Sequence, residues 1–317
     1  MIIYILKKIL TFLFILLVLS QLSFCIVYFS ADVYYSHLPL FEAYNNYFKH
    51  LFSGELQLND TNQSLVMIIK QVLPATIELC LFALVITMVT GITFGIIAGL
   101  NPDNWKNRLI QAACLVISAC PLVWLAVLIM FSFSDNIYLL PTKGSTLDYQ
   151  HAITGFPIID ILLVADHNKG YEVLKELQYL ALPSVILAIH PCIITIQLVS
   201  QSIEKIAKQN YIKALSIRVQ SQWKILFRHM LPNVFPPIIP RLTYNFNVLL
   251  FSAMLIEIIF HRPGLGSWVM QAFEQHHDRT IAVALLLCGL LLSTLNLISE
   301  LIMIVIHPLR HKELYDE

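Results

Sequence analysis

Among the ionisable side chains inside long apolar runs are Glu78, His190, Glu257 and Glu300. At such depth, carboxylates and an imidazole offer one kind of chemistry, the relay of protons or cations across a bilayer. A charge inside a span costs about 2.5–3.5 kcal/mol on insertion scales, so each must face protein or water. Their positions favour structural work instead: helix-end snorkelling, hydrogen bonds between helices, or a kink at His190–Pro191. Glu78 and Glu257 fall near the outer ends of their runs and Glu300 in the inner half of its own. A proton-driven carrier is expected to hold an acid nearer the centre. Other chemistries lack their residues. There is no H-E-x-x-H, no G-x-S-x-G and no G-x-x-x-x-G-K-[ST] phosphate loop, which argues against a metalloprotease, a serine hydrolase and an ATPase. The six cysteines lie in apolar runs without a C-x-x-C pair. They read as small packing residues, so no metal, no catalytic residue and no cofactor is expected.

The elements that must hold these groups are membrane helices. The chain has 317 residues, 57% hydrophobic and 13% charged, where a soluble domain carries about 25% charge. Net charge is zero, which suggests no nucleic-acid partner. A span needs about 20 apolar residues, and six runs qualify, near 9–30, 75–100, 109–132, 180–200, 235–260 and 281–306. The first run is too long for a signal peptide's apolar stretch and lacks an A-x-A site, so it reads as an uncleaved span. Gly91, Gly95 and Gly99 share one face of the second run, which predicts a close helix contact. The segments at the N-terminus, 101–108, 201–232 and the C-terminal tail hold 12 Lys and Arg with 5 acids. The alternate segments, 31–74, 133–179 and 261–280, hold 7 with 12 acids. The basic side is expected to be cytoplasmic, with both termini on it. The segments 31–74 and 133–179 mix aromatic and polar residues and read as short helices at the outer surface.

One segment breaks the apolar monotony. Residues 210–233, "NYIKALSIRVQSQWKILFRHMLPN", carry five basic residues and no acid. Helical periodicity over 203–216 puts Ile203, Ile206, Ala207, Tyr211, Ala214 and Leu215 on one face, with Lys205, Lys208, Gln209, Lys213 and Ser216 opposite. A second short helix is expected to expose Trp223, Leu226, Phe227 and Met230, with Lys224 and Arg228 opposite, until Pro232 ends or kinks it. Such a helix–break–helix suits either a groove on another protein or an anionic lipid surface, and composition leaves both open.

Several stretches resemble a known family. "LPATIELCLFALVITMVTGITFGIIAGL" (73–100) is similar to the second span of dipeptide and oligopeptide permeases, which opens L-P-A-T-x-E-L. "ACPLVWLAVLIMFSF" (119–133) resembles their third span, "NIYLLPTKGS" (136–145) the turn after it, and "LPSVILAI" (182–189) the start of the fourth. "IEIIFHRPGLGSWVMQAF" (256–273) resembles E-x-x-F-x-x-P-G-L-G-x-L, and "IHPLR" (306–310) their terminal D-P-R. "YIKALSIRV" (211–219) resembles the EAA loop of permease subunits of ATP-binding-cassette importers, with Leu231–Pro232 falling 12 and 13 residues after Val219. Lys213 replaces the loop's first acid, Leu215 its second alanine and Val219 its turn glycine. "ITGFPIID" (153–160) points to the Sap-type peptide importers. The likeness runs over nearly the whole chain.

The resemblance implies an all-α polytopic permease with six spans. Residues 1–30 would form the N-terminal end and first span, 31–74 an outer segment, 75–310 the core and 311–317 a cytoplasmic tail. It implies a bacterial inner membrane location and no ATP hydrolysis by this chain. Tyr211, Ala214, Leu215, Val219, Trp223, Leu226, Phe227, Met230, Leu231 and Pro232 would couple to a separate ATP-binding subunit. A second permease subunit and a periplasmic solute-binding protein would complete a peptide importer, with antimicrobial peptides and polyamines among the cargoes of Sap-type systems. Its substrate-binding residues are not specified by the sequence. The rival reading is an ion- or proton-coupled secondary transporter, which would work without an ATPase.

Overall fold

A computed structural model of the chain describes residues 2–30, 37–53, 65–100, 104–134, 153–164, 169–218 and 221–306. Helices joined by short turns make up the described residues, with no strand among them. They are α1 (Ile2–Phe29), α2 (Leu40–Ser53), α3 (Leu65–Leu100), α4 (Trp105–Ser118), α5 (Leu122–Ser134), α6 (Pro157–Val164), α7 (Lys169–Ala207), α8 (Asn210–Arg218), α9 (Gln222–Ile225), a π-helical turn (Leu226–Met230), α10 (Leu231–Ile259), α11 (Leu265–Glu274) and α12 (Asp278–Ile306). Four stretches are long and apolar enough to cross a bilayer: Ile5–Phe29, Val72–Leu100, Lys169–Ala207 and Asp278–Ile298. A fifth arises if Asn107–Ser118 and Leu122–Phe133 count as one broken span.

That break corrects the expectation of one straight helix over 109–132. The two halves bend by 95°. The cause is local. Ala119 and Cys120 donate back to Val116 and Ile117, three residues away, at 3.3 and 3.1 Å, which tightens the last turn. Pro121 then has no N–H with which to resume the helix. The fourth run behaves differently, because α7 continues through both Pro183 and Pro191. His190–Pro191 therefore does not interrupt the helix.

The chain forms two compact units. The first comprises 1–78, 139–180 and 253–298. Its apolar core joins Phe24 and Val27 of α1, Ala43 and Tyr47 of α2, and Ala282 and Val283 of α12. The Ser23 hydroxyl donates to the Ala282 carbonyl at 2.9 Å and meets the Tyr47 hydroxyl at 2.7 Å. Thus the one phenol taken into this core keeps a partner, as a buried hydroxyl must. Burial pushes the Tyr47 hydroxyl above its ordinary pKa, against the lowering effect of Ser23, so it stays neutral.

The second unit comprises 79–138, 181–252 and 299–317. Here α3 lies against α7 along the glycine face. A Cβ at Gly95 would sit 2.6 Å from the Val199 Cβ, and one at Gly99 2.8 Å from the Ser200 carbonyl oxygen. The expected close approach is made, and its partner is α7. A second apolar cluster gathers Val199, Ile203, Ile206, Ile212, Leu226 and Val234 at the end of α7.

Candidate functional site

The basic segment 201–232 closes on itself in a way its periodicity did not announce. Residues 203–216 are not one helix. After Ala207 the chain turns at Lys208–Gln209 and restarts as α8, with Ile212 and Lys213 both donating to the Gln209 carbonyl at 3.1 and 3.2 Å. The turn lets Ile212 fold back beside Ile203 and Ile206 in a common core. Tyr211 faces away, half exposed, with its hydroxyl accepting from Asn233 at 3.3 Å. Ala214 is exposed and Leu215 half-buried against the core, while Val219 lies outside the described residues.

The next stretch departs further from expectation. Pro232 does not end a short helix. Residues 222–259 run on as α9, the π turn and α10. In the π turn the Leu231 N–H reaches back five residues to the Leu226 carbonyl. A proline ring collides with the carbonyl four residues earlier, and the wider turn offers room for it. The extra residue also rotates the side chains. Leu226 and Met230, expected on the exposed face, are buried at 1% and 4%, and Leu231 is buried beside them. Trp223 and Phe227 remain outside at 66% and 62% exposure. Their rings stack, with centroids 6.1 Å apart and planes 23° apart. Pro232 is exposed nearby. Two aromatic rings on a surface knob, backed by a closed core, are an anchor of the kind that fills a partner's pocket.

The first unit holds the opposite arrangement. Glu78, Asp160, Glu176, Glu257 and Arg262 are all buried. Glu78 and Glu257 are thus tied to other backbone segments, and snorkelling does not describe them. Glu78 accepts from the Ile158 N–H at 3.2 Å, one of the N–H groups that the start of α6 leaves unpaired. Asp160 accepts from the Thr154 and Gly155 N–H groups, each at 2.8 Å. Glu257 lies in the last turn of α10 and accepts from the Gly266 N–H at 2.7 Å. The Thr76 hydroxyl takes the Leu265 N–H at 2.8 Å. Arg262 pairs with Glu176 at 2.8 Å.

The P-G-L-G turn (263–266) meets Thr76 and Glu257 through the Leu265 and Gly266 N–H groups. Helix α10 closes with the Arg262 N–H on the Glu257 carbonyl and the His261 N–H on the Ile258 carbonyl, with His261 at φ 49°. This is a Schellman ending with histidine where glycine usually stands. Gly264 then passes so near the Glu257 carboxyl that a Cβ there would lie 2.2 Å from its Cδ. Only hydrogen fits between the turn and the carboxylate.

The sequence pointed to Glu78 and Glu257 but passed over Asp160, Glu176 and Arg262. Those three lie in polar segments where charge ordinarily faces water. The motif around Pro263 was the available signal, and it marked the turn without giving Arg262 its partner 86 residues away. Glu300 is half-buried in α12.

A family model for the binding-protein-dependent transport system inner membrane component matches residues 91–312. The chain is 34% identical over 318 residues to the putrescine export system permease protein SapB of Escherichia coli (strain K12), covering 99% of each chain. It is 33% identical over 318 residues to the peptide transport system permease protein SapB of Salmonella typhimurium, again with 99% of each covered. It is 26% identical over 273 residues to the dipeptide transport system permease protein DppB of Alkalihalophilus pseudofirmus, covering 85% of this chain and 81% of that one.

Proposed function

This chain belongs to the family of binding-protein-dependent transport system inner membrane components, a transport permease, and we propose that it forms half of the pathway of an ATP-driven peptide importer. In this reading it crosses the bacterial inner membrane six times with both termini inside. A second permease subunit completes the pathway, and a periplasmic solute-binding protein delivers the peptide. A separate ATP-binding subunit docks on residues 203–232. When that subunit closes on ATP, its motion passes through Trp223 and Phe227 to the helices beneath them.

The stacked pair Trp223–Phe227 carries this reading. Interface cores favour aromatic residues and exclude charge, and these rings leave the chain's own core to stand in the open. The other parts of the segment fit the same role. Tyr211, Ala214 and Pro232 are exposed on it, while Leu215, Leu226, Met230 and Leu231 support it from below. In sequence, Val219 falls between α8 and α9. The name of the Escherichia coli relative supports a second cargo, putrescine, moving outward.

Purification of the chain from its native membrane is expected to bring down a second permease and an ATP-binding chain. Proteoliposomes of that complex with the solute-binding protein outside should accumulate labelled peptide on ATP supply. Outward movement of putrescine without peptide uptake selects the second cargo, and transport by the chain alone rejects the coupled reading. A lone cysteine at Ser145 should react with an impermeant reagent from outside and one at Gln220 should not.

A further inference from the structure

Within the second unit, α4 and α7 border an open cleft of about 370 Å³. Five of the eight residues that line it are polar. From α7 come Gln197, Ser200, Gln201 and Glu204, spaced so that they share one helix face. From α4 comes Gln111. Outside the cleft α4 exposes apolar Leu109 and Val116, both more than half exposed, together with Arg108 and Ser118.

Helix-to-helix hydrogen bonding does not explain the three amides. Among the described residues, no side-chain hydrogen bond reaches Gln111, Gln197 or Gln201. Gln111 and Gln201 are exposed and Gln197 is half-buried, so their amide groups meet water or a ligand. The cleft lies at the low end of the size range of ligand pockets, about 300–1,000 Å³, which suits a short extended stretch of chain.

The chemistry of the lining selects the ligand. A carboxamide offers both donors and acceptors. An extended peptide presents alternating N–H and C=O groups whatever its side chains are. Three amides and a hydroxyl thus match a main chain and are indifferent to sequence. A diamine would instead need free carboxylates. The cleft has one acid, Glu204, and its carboxylate already accepts from Lys208 at 2.6 Å. We propose that the α4–α7 cleft is a contact point for the main chain of the transported peptide, with Gln111, Gln197 and Gln201 as the contacting groups. This rests on the peptide-importer reading above.

The test uses the assembled complex in proteoliposomes, with the six native cysteines replaced. Single cysteines are placed at Gln197 and Gln201, and at Val185 on the exposed apolar surface of α7. A small charged thiol reagent should label Gln197→Cys and Gln201→Cys several-fold faster than Val185→Cys, and saturating trialanine should slow the first two only. In parallel, Gln197→Leu should raise the transport KM for trialanine about tenfold, equivalent to about 1.4 kcal/mol, near the net value of one hydrogen bond. Co-purification of the partner chains is the control for folding. Equal labelling at all three positions overturns the polar cleft. If the complex transports trialanine but trialanine does not protect the two cysteines, the contact site is overturned and the importer reading stands. If putrescine protects them and no peptide is transported, the peptide reading falls and takes the ligand class with it.

Discussion

The P-G-L-G region and the 203–232 segment place their side chains in opposite ways. Around the turn, five charged groups are buried and their bonds run to groups of the same chain. In the segment, a closed aliphatic core carries two large aromatic rings on its outside. Burying a charge is costly unless it is paired and hydrogen-bonded, so the first arrangement stabilises one geometry and tolerates little change. An exposed ring contributes little to folding and much to binding. The first region makes its bonds within the chain, with buried atoms of Glu78, Glu257 and Arg262 left without a hydrogen bond, and the second is proposed to meet a partner. Substitutions should separate them into losses of stability and losses of association.

The largest effect is expected at Arg262. Arg262→Met leaves Glu176 charged and fully buried with its guanidinium gone. Removing one member of a buried pair costs about 3–5 kcal/mol, and the variant should lose most of its folded, membrane-inserted population in detergent gel filtration. Adding Glu176→Leu removes the other charge of the pair and should restore much of that loss. An Arg262→Met protein as stable as the original would break the contrast on this side.

Next come Trp223→Ala and Phe227→Ala. A buried aromatic anchor costs about 2 kcal/mol or more on truncation at an interface, about thirtyfold in Kd. Binding of the purified ATP-binding subunit should weaken by that factor while thermal stability stays within about 0.5 kcal/mol of the parent. Lys224→Ala and Arg228→Ala should act instead on association rate and salt dependence. Retained binding by both aromatic variants, with loss in the two basic ones, would assign the segment to a lipid surface.

A third test asks how tightly the turn fits. Gly264→Ala pushes a methyl into the Glu257 carboxyl, and overpacking of this kind costs about 1–3 kcal/mol. The smallest effect, opposite in sign, is expected at exposed His261. Glycine accepts φ 49° without the strain of a side chain, while its freedom in the unfolded chain offsets part of the gain. His261→Gly should raise stability by no more than about 1 kcal/mol, a figure set by the left-handed penalty. Thermal unfolding of the two variants side by side measures both.

Much was legible in one dimension. Apolar runs located the helices of α1, α3, α7 and α12, because a span's length is fixed by bilayer thickness. The Gly91, Gly95 and Gly99 spacing announced a close contact, because small residues three or four apart share a face. Periodicity read the 203–232 segment less well. It assumed one regular helix through Lys208 and another ending at Pro232. A two-residue turn and a single π turn each shift the phase of everything downstream, which moved Leu226 and Met230 inside and left Trp223 and Phe227 outside.

The sequence by itself determined the class of the molecule, its apolar runs and the motifs that tie it to a family of permeases. Those properties depend on composition and local spacing, which the chain carries wherever it folds. Tertiary structure alone decided which charges are spent inside and which rings are offered outside. Glu176 finds Arg262 only when distant segments meet. The amides of Gln111, Gln197 and Gln201 border one cleft only because α4 and α7 pack together. A partner's identity is a property of three-dimensional proximity, and no local pattern encodes it.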